Sequence, residues 1–154
     1  MKIIERETFY ICGYGVETTG DKNVEDLSNL YKDFFASDKE SILLGFSGSK
    51  KGYFGLMWYT SGHEKYYYLL GIEVDKENEL PESAILKTVP KTTYAVAYYP
   101  HDKDAVEAWT EFFYTDISKE GYAINEQHNL YFEYFSENVD GDYELWAPVV
   151  KSDE

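Results

Sequence analysis

The stretch Leu130-Tyr131-Phe132-Glu133-Tyr134-Phe135 constrains this chain more than any other. Five large apolar or aromatic residues surround one carboxylate, and their β-favouring side chains predict a strand. Successive strand residues point to opposite faces. Leu130, Phe132 and Tyr134 therefore share one face, which reads as core. Tyr131, Glu133 and Phe135 share the other, an aromatic surface carrying a single negative charge. A short acidic loop and Leu145-Trp146-Ala147-Pro148-Val149-Val150 follow, so the segment 130–150 reads as a hairpin. An aromatic surface with one acid in it suits a flat, apolar, positively charged molecule.

The rest of the chain gives a repeating order of elements. Lys2 to Tyr14 reads as a first strand, and Gly13 and Gly15 are expected to loosen it into a loop. Val24 to Phe35 has the i, i+3, i+4, i+7 spacing of an amphipathic helix, with Asn23 as N-cap. Ser37 to Ser41 ends it, and Ile42 to Phe46 is a short apolar run of open type. Gly48 to Gly52 marks a turn. Tyr53 to Thr60 and Lys65 to Val74 form a hairpin across Ser61-Gly62-His63-Glu64. Asp75 to Ser83 is an acidic loop. Ile85 to Tyr99 is strand, interrupted at Pro90. Asp104 to Asp116 is a second helix with Val106, Trp109, Phe112, Phe113 and Ile117 on one side, and Tyr122 to Asn129 is a polar connection.

The second half repeats the first. Ile4, Thr8, Phe9 and Ile11 align with Val89, Thr93, Tyr94 and Val96. Leu27, Leu30 and Phe34 align with Val106, Trp109 and Phe113. Tyr67, Leu70, Ile72 and Val74 align with Tyr143, Trp146, Pro148 and Val150. The expected fold is α+β, with two β-α-β-β modules (about 1–78 and 79–154), antiparallel sheets, one long helix in each, and a groove at the seam. If Glu133 points into that groove, its repeat equivalent Met57 does so too, with Tyr59. Ordinary packing is the equal alternative for both. Trp109, on the stripe of the second helix, reads as core or as pocket wall.

Charge narrows the partners. With 14 basic and 29 acidic residues the formal charge is −15, which argues against phosphate-rich nucleic acid and against an anionic membrane surface. No signal core and no long apolar run is present, and the single cysteine, Cys12, suits a reducing cytoplasm. Gly13-x-Gly15 lacks the third glycine of a dinucleotide fingerprint. His63, His101 and His128 are scattered without metal-ligand spacing and read as surface residues. No cofactor or metal is expected.

Phe132-Glu133-x-Phe135, the acidic loop and Glu144-Leu145-Trp146-x-Pro148 resemble the C-terminal signature of the GyrI-like small-molecule-binding domain, the effector-binding domain of AraC-type and MerR-type bacterial regulators. Tyr53-Phe54-Gly55 with the strand from Tyr66 to Val74 resembles its first hairpin. Leu80-Pro81-Glu82 and Val89-Pro90-x-x-x-Tyr94-Ala95-Val96 resemble its middle. The resemblance implies two modules about a pseudo-two-fold axis with the ligand between them. It places the family's buried pocket acid at Glu133 and the aromatic of the final strand at Trp146. The expected ligand-binding residues are thus Glu133, Trp146, Tyr59, Met57, Trp109 and Tyr131, and the expected ligand is aromatic and cationic. Relatives that hydrolyse cyclopropane-bearing compounds with the same acid keep an enzymatic alternative open. A relative that protects gyrase keeps open a protein-binding one, which would use the acidic surface. Glu144 shares the face of Trp146 and is expected at the rim.

Overall fold

The computed structural model describes residues 1–46, 50–75, 80–81 and 83–152. The parts of the expected turn at 48–52 and acidic loop at 75–83 that fall on 48–49, 76–79 and 82 lie outside them. The strands are β1 (Lys2–Arg6), β2 (Phe9–Thr19), β3 (Tyr53–Ser61), β4 (Lys65–Val74), β5 (Ile85–Val89), β6 (Thr92–Tyr99), β7 (Tyr122–Ile124), β8 (Tyr131–Phe135) and β9 (Tyr143–Lys151). They form one sheet in the order β1-β6-β9-β8-β3-β4-β2-β5, with β7 added beside β9. The fold class is α+β, as expected.

A pseudo-two-fold axis passes through the antiparallel pair β3–β8. There Leu56 faces Phe132, and the flanking pairs Met57–Tyr131 and Gly55–Glu133 exchange under the rotation. The same rotation exchanges β4 with β9, β2 with β6 and β5 with β1. One consequence was not visible in the sequence: the leading strands trade places. β1 pairs with β6, matching Ile4 to Tyr94, while β5 pairs with β2, matching Val89 to Phe9. The two halves therefore hold each other's first strand.

The region read as one strand from Lys2 to Tyr14 is two. Gly13 and Gly15 do not open a loop; both lie inside β2. A Cβ on Gly13 would sit 2.2 Å from the Leu70 carbonyl oxygen, so glycine here permits close approach of β2 and β4. The expected polar connection after the second helix contains β7, which pairs with β9 from Tyr122–Lys151 to Ile124–Val149.

The sheet is strongly curled. Phe9 on β2 and Phe132 on β8 are separated by β4 and β3, which in a flat sheet would hold them about 14 Å apart. Their ring centroids lie 5.7 Å apart. Inside the curl, Phe54, Leu56, Leu69, Tyr94 and Trp146 join them in a core without a helix. Arg6 covers one mouth of this core, its guanidinium 3.6 Å from the Phe9 ring centre and 2.7 Å from Glu73.

Both long helices cover the opposite face. α1 (Asn23–Ala36) lies on β2 and β4, burying Phe34 against Tyr14, Tyr68 and Leu70. Loss of the Phe34 ring would cost about 3–5 kcal/mol. Its N-cap is Lys22 rather than Asn23, whose side chain instead donates to the Tyr66 hydroxyl at 3.1 Å. The apolar run after α1 is a short helix, α2 (Lys39–Leu44), anchored by Leu43. α3 (Ala105–Glu111) starts at Asp104, whose carboxylate accepts from the Glu107 amide. It widens into a π turn (Phe112–Asp116) and ends as α4 (Ile117–Lys119). Ala95, Ala97 and Ala147 leave room for Ala108, Phe112 and Ile117 to settle on β6 and β9. Val24 and Val106, assigned to the buried stripes by spacing, are exposed. The helices thus stand over the outer strands, and the central pair β3–β8 lies between them.

Candidate functional site

Alternation along β8 sends Leu130 and Phe132 into the curl and Tyr131, Glu133 and Phe135 toward the helices. Glu133 is only 9% exposed. Tyr68 on β4 donates to its Oε1 at 2.8 Å, and the Trp109 indole on α3 donates to its Oε2 at 3.0 Å. The Tyr68 hydroxyl is itself 2.5 Å from that of Tyr31 on α1. A hydrogen-bonded line thus runs from α1 through the sheet to α3, with the carboxylate at its centre.

Gly55 makes this arrangement possible. It is the direct partner of Glu133 across the seam, and a Cβ there would lie 2.0 Å from the Tyr68 hydroxyl oxygen and 3.2 Å from Glu133 Oε1. The space that a side chain would fill is the space through which Tyr68 reaches the acid.

Burial pushes the Glu133 carboxyl above the ordinary carboxylate range, and the bonds from Trp109 and Tyr68 offset part of that rise. Among the described residues, none of the ion pairs involves Glu133. A buried carboxylate with hydrogen bonds but no counter-charge is costly, and an incoming cation lowers that cost. Burial, with the nearby Glu133 charge, also raises the Tyr68 phenol, so Tyr68 stays a neutral donor.

Two concavities flank this unit. One is lined by Met57, Tyr59, Tyr66, Trp109, Phe113 and Tyr131. Its rings are set at angles: Tyr131 meets Phe113 at 90° and Tyr59 at 75°, while Phe113 stacks on Trp109 at 5.1 Å. The other is lined by Glu133 itself with Tyr31, Phe135, Val139, Asp140 and Tyr143. Among the described residues, no group of three or more His, Cys, Asp or Glu converges as a metal would need.

The structure brings Met57, Tyr59, Trp109, Tyr131 and Glu133 together. It does not bring Trp146 there. Trp146 lies across the sheet, stacked on Phe132 at 5.1 Å inside the curl, with its indole donating to Glu144 at 3.0 Å. The resemblance places Trp146 beside Glu133, but on β9 it is Leu145 that pairs with Glu133, while Trp146 pairs with Phe132 and shares its face. The repeat alignment does not reveal this because it is one residue out of step, which reverses every face of a strand. Met57–Tyr68 on β3–β4 corresponds to Glu133–Leu145 on β8–β9, and Leu56–Leu69 to Phe132–Trp146. The structural equivalent of Trp146 is therefore Leu69, not Leu70. Sequence reading missed Tyr68, Tyr31 and Gly55. Carrying the alternation from Met57 across the hairpin to Tyr68 would have found the first. His128, expected at the surface, is half-buried against Tyr94.

Duplicated halves, a seam between two helices and a buried acid beside an aromatic concavity define a GyrI-like small-molecule-binding domain. Residues 2–149 match the integron-associated effector binding proteins, and the chain belongs to that family. Its fold is shared by the protein SAV2435, solved with tetraphenylphosphonium bound. That protein is 14% identical, with 97% of this chain and 93% of that one covered at a TM-score of 0.78. An integron cassette protein from the mobile metagenome of Vibrio cholerae is 16% identical, with 97% and 95% covered at 0.69. The C-terminal domain of EcmrR is 10% identical, with 97% and 96% covered at 0.63. No curated protein matches the chain significantly. Among the described residues, no helix is long and apolar enough to cross a membrane.

Proposed function

We propose that the protein binds aromatic, lipophilic cations in the groove between α1 and α3, with Glu133 as counter-charge. Met57, Tyr59, Trp109 and Tyr131 provide the apolar and π surface. The observation that carries this reading is the buried Glu133 carboxylate, held by two neutral donors and, among the described residues, paired with no cation. The charge is set in advance, and an incoming cation supplies what the protein withholds. Each ring that meets the cation face-on adds about 0.5–2 kcal/mol. Tetraphenylphosphonium on SAV2435, a protein of the same fold, is a cation of this kind. The reading makes the protein a sensing or sequestering module.

The test is a tryptophan-fluorescence titration with tetraphenylphosphonium and cationic aromatic dyes, on the wild type and on Glu133→Gln. Glutamine keeps the shape and lets the Tyr68 hydroxyl reverse its bond. Saturable quenching that weakens tenfold or more in the variant, about 1.4 kcal/mol, is the expected result. Equal binding by both proteins, or none by either, overturns the reading.

A further inference from the structure

The two concavities beside Glu133 are images of one another under the pseudo-two-fold axis. The rotation that carries Leu56 onto Phe132 carries Met57 onto Glu133 and Tyr59 onto Phe135. Through the matched hairpins it carries Tyr66 onto Tyr143. Met57, Tyr59 and Tyr66 line the first concavity, and Glu133, Phe135 and Tyr143 line the second. The groove is thus one design used twice, with a thioether at the floor of one half and a carboxylate at the floor of the other.

The halves differ in what they offer a ligand. The Met57 half is walled by Trp109, Phe113 and Tyr131. The Trp109 indole that closes it toward the acid spends its N–H on Glu133. The Glu133 half has the Tyr31 hydroxyl on its wall and exposed Asp140 at its edge. Lys103, also on that wall, is held by Glu111 at 3.1 Å. A carboxylate offers about four lone-pair directions. Tyr68 and Trp109 take two of them, one on each oxygen. Glu133 lines the second half, so a donor that enters there is placed to use the acceptor capacity that remains.

We infer that the cationic centre of the ligand is a protonated amine that enters the second half and donates an N–H to Glu133 there. This rests on the function proposed above and goes further, since it selects among cations. A quaternary or phosphonium centre satisfies the charge but leaves the remaining acceptors of a buried carboxylate unused. A protonated amine satisfies both, and charge-assisted bonds of this kind are about twice as strong as neutral ones.

The experiment is calorimetric titration of the wild-type protein at pH 7 with two probes that share one arylalkyl body. One ends in a protonated dimethylamine and the other in the trimethylammonium made by one further methylation. The expected result is at least tenfold tighter binding of the amine, with the gap closing to within about twofold in Glu133→Gln. Equal binding by the two probes, both weakened in Glu133→Gln, overturns this inference and leaves the cation reading standing. Tighter binding of the trimethylammonium probe also overturns it. Failure of both probes to bind, or binding that ignores Glu133, overturns the two together.

Discussion

Trp109 of α3 donates its indole N–H to Glu133 of β8 at 3.0 Å, so the ring that walls the aromatic concavity also fixes the acid behind it. Trp109→Phe keeps the ring and removes the donor. A hydrogen bond to a charged group is worth about 1.5–3 kcal/mol, and its loss falls on the ionised form alone. The variant is therefore expected to need a higher pH to reach full cation binding. Titrations with tetraphenylphosphonium from about pH 5 to about pH 9 would show the wild-type and variant curves converging at the alkaline end. A loss of equal size at every pH would mean that only ring contacts were disturbed.

Glu133 also sets how stability depends on pH. Its folded carboxyl lies above the ordinary value because of burial. In acid, both folded and unfolded chains hold the proton and the residue contributes nothing. As pH rises past the ordinary carboxylate value, the unfolded chain ionises first and the folded state loses stability until its own carboxyl ionises. Glu133→Gln is thus expected to be more stable than wild type at neutral pH, by about 0.5–2 kcal/mol, as is common when a functional strain is removed. The difference should vanish near pH 3. Urea unfolding at the two pH values checks it.

Gly55→Ala places a methyl group where the Tyr68 hydroxyl now sits. Overpacking of this kind costs about 1–3 kcal/mol. Because the displaced group is the donor to Glu133, affinity for tetraphenylphosphonium should fall at least fivefold in the same protein. Denaturant unfolding and dye titration on one sample measure both effects. Stability lost without loss of affinity would separate Gly55 from the site.

Trp146 provides the opposite case. It is packed between Phe132 and Tyr94 on the far side of the sheet. Trp146→Phe is expected to lower unfolding free energy by about 1–3 kcal/mol, the usual range for a core change. Cation affinity should stay within about twofold of wild type. Trp58 and Trp109 remain to report binding by fluorescence.

These four residues also mark what the sequence could and could not disclose. The alternation around Glu133 was strong because both faces of β8 carry large side chains, so each face had a readable character. Its match to Met57 held because β3 and β8 meet at the axis with no insertion between them. The family resemblance places Trp146 at the site, and the repeat alignment does not correct it, because the stretches joining β3 to β4 and β8 to β9 differ in length by one residue and a strand's period of two turns one residue into the wrong face. Gly13 and Gly55 were opaque for another reason. A glycine in sequence signals only freedom, whereas here each answers a particular atom of another strand, the Leu70 carbonyl oxygen and the Tyr68 hydroxyl. Tyr31 could not be found by periodicity alone, since its role depends on how α1 is set over β4.

The exchange of β1 and β5 between halves has a consequence for how such a binding protein can come to hold a single charge. Two identical chains clasped by swapped arms would form a closed dimer, and its dyad would repeat every side chain. Such a dimer offers either two thioethers or two buried carboxylates side by side, and the second choice sets like charges against each other. Joining the copies into one polypeptide lifts that restriction. Each copy then varies alone, and a glutamate can face a methionine across the axis.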